Sequence, residues 1–216
     1  MKNLISLLLF LLAGQALFAA DADPRAKALL DEVKKKYESY KSLSIDFQLI
    51  IEVPGEERQI QSGKMIQQGE QYFVQLPDRN IYCDGKALWL YLKEEGEVQI
   101  NDVDEEEEGI LSPRDFLEIY QSDEYEYALT NEFTEKGRKL AQIEFKPKDA
   151  DSDIAKLRLT IDRQSKEILQ LRTFYKDGTR VGLVLSSLSA NEIYPVETFR
   201  WKKAYCPDCY VEDLRM

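Results

Sequence analysis

The chain has 216 residues, with 40 acidic against 29 basic side chains, a formal net charge of −11 and no histidine. That charge repels phosphate backbones, so nucleic acid is not an expected partner. Without an imidazole there is no Ser-His-Asp or Cys-His centre and no histidine-containing zinc site, and neither a metal nor another cofactor is expected.

The opening stretch, MKNLISLLLFLLAGQALFAADAD, sets one lysine ahead of an apolar run from Leu4 to Leu12. It closes with Leu17 and Ala19, or Ala20 and Ala22, at the positions a signal peptidase reads. This is the pattern of a signal peptide spanning 1–22, cleaved near residues 19–22, and the run is too short for a spanning helix. No cysteine follows a candidate cleavage site, so an exported, unlipidated, soluble chain is expected, with 23–216 as one domain.

The first element of that domain is a helix. Asp23 can cap it, Pro24 suits its first position, and Ala26, Leu29, Leu30, Val33, Tyr37 and Tyr40 recur on one side. The period then changes to two. In LSIDFQLIIEV the residues Leu43, Ile45, Phe47, Leu49, Ile51 and Val53 alternate with Ser44, Asp46, Gln48 and Glu52, which describes a strand with one apolar face.

Further strands are predicted at Arg58–Gln67, Gln71–Leu76, Ala87–Lys93 and Glu97–Asn101. Past mid-chain they resume at Tyr125–Thr130, Lys139–Lys146, Ala155–Asp162, Glu167–Lys176, Thr179–Ser189 and Val196–Lys203. Asp84-Gly85 and Asp177-Gly178 favour tight hairpins, and connections this short imply an antiparallel meander. Between the two strand blocks, Glu105–Glu108 lacks the spaced oxygens of a calcium loop and reads as a solvated acidic turn. Ser112-Pro113 with Asp115 then announces a second helix, whose Phe116, Leu117 and Tyr120 share a face.

Near the end, YCPDCY spaces Cys206 and Cys209 like the working pair of a thiol oxidoreductase. Such a pair belongs at the start of a helix, where the dipole lowers the thiol pKa, but only YVEDLRM follows. A local disulfide stiffening the tail is therefore expected, with thiol-disulfide chemistry as the alternative. Cys83 reads as a small buried residue at a strand end.

The fold expected is mainly β with two or more short helices. About ten antiparallel strands must curl, and the two apolar helix faces suit the concave side of an unclosed barrel as a helical lid. QSGKMIQQGEQYFVQLP and YCDGKALWLYLKEEGEVQIND sharpen this expectation. Ser62-Gly63, Tyr72-Phe73, Cys83-Asp84-Gly85-Lys86, Trp89-x-Tyr91 and Val98-Gln99, in this order and spacing, resemble the periplasmic outer-membrane lipoprotein carriers of the LolA family. Two positions depart from the family pattern: Gly69 stands where an arginine is usual, and Cys83 where a serine is.

The resemblance implies a non-enzymatic periplasmic carrier that shelters the acyl chains of lipoproteins and moves them from the inner to the outer membrane. Its implied partners are those lipoproteins, an inner-membrane release transporter and an outer-membrane acceptor, and the carrier is expected to be a monomer. Exposing three acyl chains of about 15 methylenes to water would cost on the order of 30 kcal/mol at roughly 0.8 kcal/mol per methylene. The implied cavity lining is Leu43, Ile45, Phe47, Leu49, Ile51, Tyr72, Phe73, Trp89 and Tyr91, with Leu29, Val33, Phe116, Leu117 and Tyr120 on the lid. In ALWLYL either Trp89 and Tyr91 or Leu88, Leu90 and Leu92 could face inward. An envelope module of the same shape that holds or senses another lipid or a peptide is the alternative function.

Overall fold

The structure, a computed structural model, describes residues 23–103, 117 and 119–215. The expected signal peptide at 1–22, the acidic turn at Glu105–Glu108, and Ser112, Pro113, Asp115 and Phe116 lie outside those residues.

Helix α1 spans Pro24–Glu38. The Asp23 carboxylate accepts the Arg25 N–H at its start, and Ala26, Leu29, Leu30, Val33 and Tyr37 are buried. Strands β1 to β6 follow at Ser42–Glu52, Gln59–Gln68, Gln71–Gln75, Arg79–Cys83, Ala87–Leu92 and Glu97–Asp102. Strands β7 to β11 run over Tyr125–Glu135, Arg138–Pro147, Ile154–Asp162, Ile168–Tyr175 and Arg180–Ala190, and β12 is Tyr210–Asp213.

All twelve strands share one sheet in the order β12-β6-β5-β4-β3-β2-β1-β11-β10-β9-β8-β7. It consists of two antiparallel meanders joined where β1 pairs with β11, and β12 and β7 are its two edges, so the curved sheet is unclosed. Strands β6 and β7, consecutive in the chain, lie toward opposite ends of the sheet. Leu117 and Tyr120, which come between them in sequence, are buried in the same core as α1 and both meanders.

Three expectations are corrected. Arg79–Cys83 is a strand, hidden in the sequence because five residues between two turn signals look like loop. Val196–Lys203 is not a strand: Val196–Phe199 and Lys203–Tyr205 are single 3₁₀ turns. That segment reaches across β3 and β4 with Phe199 fully buried, where both strands already have a neighbour on each side and offer it no ladder. The sheet is also not wholly antiparallel, since β12 pairs with β6 in parallel. The chain reaches that edge by a long route through residues 191–209, which a tight turn could not supply.

Asp84-Gly85 and Asp177-Gly178 do make the expected turns, with Gly85 at φ 83° and Gly178 at φ 93°.

Candidate functional site

Register decides what the concave face is made of, because directly paired residues share a face. Leu49 pairs with Leu183, which pairs with Leu171, then Leu159, Ile143 and Leu129, giving one aliphatic row from β1 to β7. A second row runs through Ile51, Val181, Thr173, Leu157, Phe145 and Tyr127. Leu43, Ile45 and Phe47 are buried, and Leu49 packs against the same core. Phe47 packs against Gly63, where a Cβ would come within 2.4 Å of its ring and 2.8 Å of the Gln75 carbonyl. The glycine of the Ser62-Gly63 pair is therefore the floor on which that ring rests.

On the other side of β1 the inward row is Ile45, Met65, Val74, Ile81 and Leu90. Beside it run Leu43, Gln67, Tyr72, Cys83 and Leu88. Three residues proposed as lining are corrected by this register. Phe73, Trp89 and Tyr91 alternate with Tyr72, Leu90 and Ile81's row and so occupy the opposite, outer face. There Phe73 pairs with Tyr82 and Tyr82 with Trp89, and the Phe73 and Tyr82 rings sit 4.9 Å apart. The leucines of ALWLYL turn inward.

Helix α1 is fixed over the β7–β10 part of the concave face. The Tyr37 hydroxyl accepts the buried Ile168 N–H at 3.0 Å, and burial pushes its pKa up, so it stays a neutral phenol. Lys36 donates to the Ser165 carbonyl, Lys166 pairs with Glu32, and the Asp23 N–H donates to the Tyr127 carbonyl. Leu29 and Val33 are buried beneath this helix, as expected for its apolar face.

Leu117 and Tyr120 pack against the same core. The Tyr120 hydroxyl donates to Asp31 at 3.2 Å, with burial foremost in raising its pKa, and Lys34 donates to Gln121. These two polar bonds tie the segment to the exposed side of α1.

At the C-terminal end of α1 a cavity of about 340 Å³ opens. Lys34, Tyr37, Glu38, Tyr40, Lys41, Gly69 and Leu117 line it. Gly69 sits at φ 60° with open space where a Cβ would be, so this part of the rim carries no side chain. Of the residues expected from sequence to form the lining or the lid, Leu117 lines this cavity, as do Tyr37 and Tyr40 of the helix face and Gly69; Leu43, Ile45, Phe47, Leu49 and Tyr72 belong to the apolar core that Tyr37 and Leu117 share. The rim residues Lys34, Glu38 and Lys41 went unrecognised, since charge at the end of a helix looks like ordinary solvated surface.

The outer face of β3–β5 is covered by the C-terminal segment. Tyr205 stacks on Tyr82 at 6.1 Å, and Arg200 donates to Asp84 at 2.8 Å. Cys206 and Cys209 form the expected disulfide, directly ahead of strand β12 rather than a helix. Cys83 is a buried free thiol whose pKa is raised by burial. No helix among the described residues is long and apolar enough to cross a membrane.

The family described as outer membrane lipoprotein carrier protein LolA matches residues 38–202. The uncharacterized protein MJ0687 of Methanocaldococcus jannaschii is 22% identical over 165 residues, 76% of this chain, and the chain spans 48% of that relative's length. Among solved structures, LprF of Mycobacterium bovis is similar with a TM-score of 0.47 and 12% identity, covering 80% of this chain and 97% of its own. A LolA superfamily protein of Nitrosomonas europaea, NE2245, gives 0.42 and 11%, covering 82% and 97%.

Proposed function

The chain belongs to the outer membrane lipoprotein carrier protein LolA family, and from that premise we propose that it is an exported periplasmic carrier. Its cargo is the acyl chains of lipoproteins, taken from an inner-membrane release transporter and handed to an acceptor at the outer membrane. The observation that carries this reading is the aliphatic row from Leu49 to Leu129, in one apolar core with Tyr37 and Leu117, which line a cavity whose rim at Gly69 bears no side chain. Apolar contacts without directional bonds can hold hydrocarbon and let it go, as a carrier requires.

A cavity of 340 Å³ lies at the small end of the roughly 300–1,000 Å³ range of ligand pockets, so several long chains require the cover to move. The two covers differ in how they are held. Helix α1 is pinned by a buried hydroxyl and by ion pairs to the β9–β10 turn, whereas Tyr120 and Gln121 are tied by Tyr120–Asp31 and Lys34–Gln121. The second is the part that lifts. Tyr120 and Asp31 then serve as the latch, in place of the arginine that Gly69 replaces.

The test is to express the chain in a periplasm, purify it and identify by mass spectrometry what stays bound. Acylated lipoprotein should co-purify with the wild type and be lost from Leu117→Glu, with circular dichroism confirming that the variant is folded. Equal recovery from both, or no acylated cargo on the wild type, would overturn the reading.

A further inference from the structure

The concave face is apolar over most of its width, and two glutamines of β2 enter it. Gln61 and Gln67 share the inward side of β2 with Gly63 and Met65, and each buries a side-chain carbonyl oxygen that accepts no hydrogen bond from any described residue. Gln67 is the more enclosed, 8% exposed, held between Leu43 on β1 and Tyr72 on β3. It stands two residues along the chain from Gly69, which lies in the turn after β2 and lines the cavity mouth. Gln61 lies toward the other end of the strand, opposite Leu49.

A buried acceptor without a donor is costly, and a hydrocarbon chain entering beside it brings no relief. A ligand that carries an N–H at the head of its chain would supply the missing bond. We propose that Gln67 is a polar subsite just inside the mouth that recognises an amide-linked acyl chain by accepting its N–H. An ester-linked chain offers no donor at that position, so the subsite sorts acyl chains by the group that attaches them. This rests on the carrier reading and narrows its substrate class: the cargo is held with an amide N–H at the mouth and its hydrocarbon directed along the aliphatic interior.

The test uses two synthetic lipopeptides with the same acyl chain, one with a free amide N–H at the acyl linkage and one N-methylated there. Each competes with a fluorescent fatty acid bound to the purified protein. Wild type should bind the N–H compound about tenfold more tightly, the worth of one hydrogen bond made to an otherwise unsatisfied buried group. Gln67→Leu should bind both alike, while Gln61→Leu should keep the tenfold preference. Replacing the amide by a leucine of similar size leaves no polar atom stranded, so the variant is expected to fold, and circular dichroism verifies it.

Equal binding of the two lipopeptides by wild type, or a preference that survives in Gln67→Leu, overturns the subsite while leaving the carrier intact. Failure of wild type to bind either compound overturns the carrier reading as well.

Discussion

The two meanders that flank the β1–β11 pair bury their inner faces in different ways. Across β7–β11 the inward rows are almost wholly leucine, isoleucine, valine and aromatic. The outer face of that half is a charged lattice: Lys156, Arg158, Arg172 and Arg180 surround the Phe174 ring at 5.1 to 6.0 Å, with Glu144 accepting from Lys156 and Arg158. Across β2–β6 the inward side admits Gln61 and Gln67, and the outer side is aromatic and needs the C-terminal segment to cover it. One half gains its stability from a single dry face and a solvated back. The other has buried amide oxygens on its inner face and a cover over its outer one.

The sharpest way to break this contrast is to remove volume from each half. Leu159 is fully buried at the centre of the aliphatic row, and Leu159→Ala should cost about 3 kcal/mol from lost transfer energy and the cavity left behind. Leu90, half-buried in the inward row of β5, should lose less than half as much on the same change. Urea denaturation midpoints measure both, and equal losses would remove the distinction. Next in size is Gly63→Ala. The added methyl must displace both the Phe47 ring and the Gln75 carbonyl, and overpacking of this kind should cost about 2 kcal/mol. Pairing it with Phe47→Leu should recover part of that loss, because the smaller side chain vacates the contact.

These two sites also illustrate what the sequence could reveal. The alternation in β1 and in Leu157-x-Leu159-x-Ile161 names its inward face without help, because each has apolar residues at one parity. QIQSGKMIQQ does not. Ile60 and Ile66 at one parity compete with Met65 at the other, and only pairing with β1 shows that the isoleucines face out, with Ile60 53% exposed. ALWLYL is apolar at every position and fails the same way: its pattern leaves Trp89 and Tyr91 as eligible for the cavity as the leucines, and the register puts them on its back. The tail misled for another reason. VETFRWKK alternates like a strand, but a strand requires a free edge, and whether one exists is a property of the whole sheet.

The disulfide tests the outer cover. Cys206 and Cys209 close a loop of sequence separation 3, so loop-closure entropy gives no more than about 2 kcal/mol, felt locally. Changing both to serine should speed amide exchange in β12 and the adjoining strand β6 while leaving exchange in β8–β10 as it was. Uniform acceleration throughout would mean that the tail is integral to the whole fold.

The smallest expected effect, and the one that separates the two halves by pH, belongs to Asp84. Burial alone would raise its pKa, but the N–H groups of Ala87 and Lys86 and the Arg200 guanidinium outweigh burial and hold it below the ordinary 3.8. A carboxylate with a depressed folded pKa contributes stability that is fully present above 3.8 and is lost as pH falls through its folded value. The same carboxylate caps the β4–β5 turn and anchors the C-terminal segment, so acid should loosen the outer cover first. Asp84→Asn should cost about 1 kcal/mol at neutral pH, in the range of a lost side-chain cap, and flatten the acid limb of stability below pH 4. Fluorescence of Trp201 follows the cover, and stability measured between pH 7 and pH 3 follows the fold. If wild type and Asp84→Asn lose stability in parallel over that interval, Asp84 is not what ties the tail to the sheet.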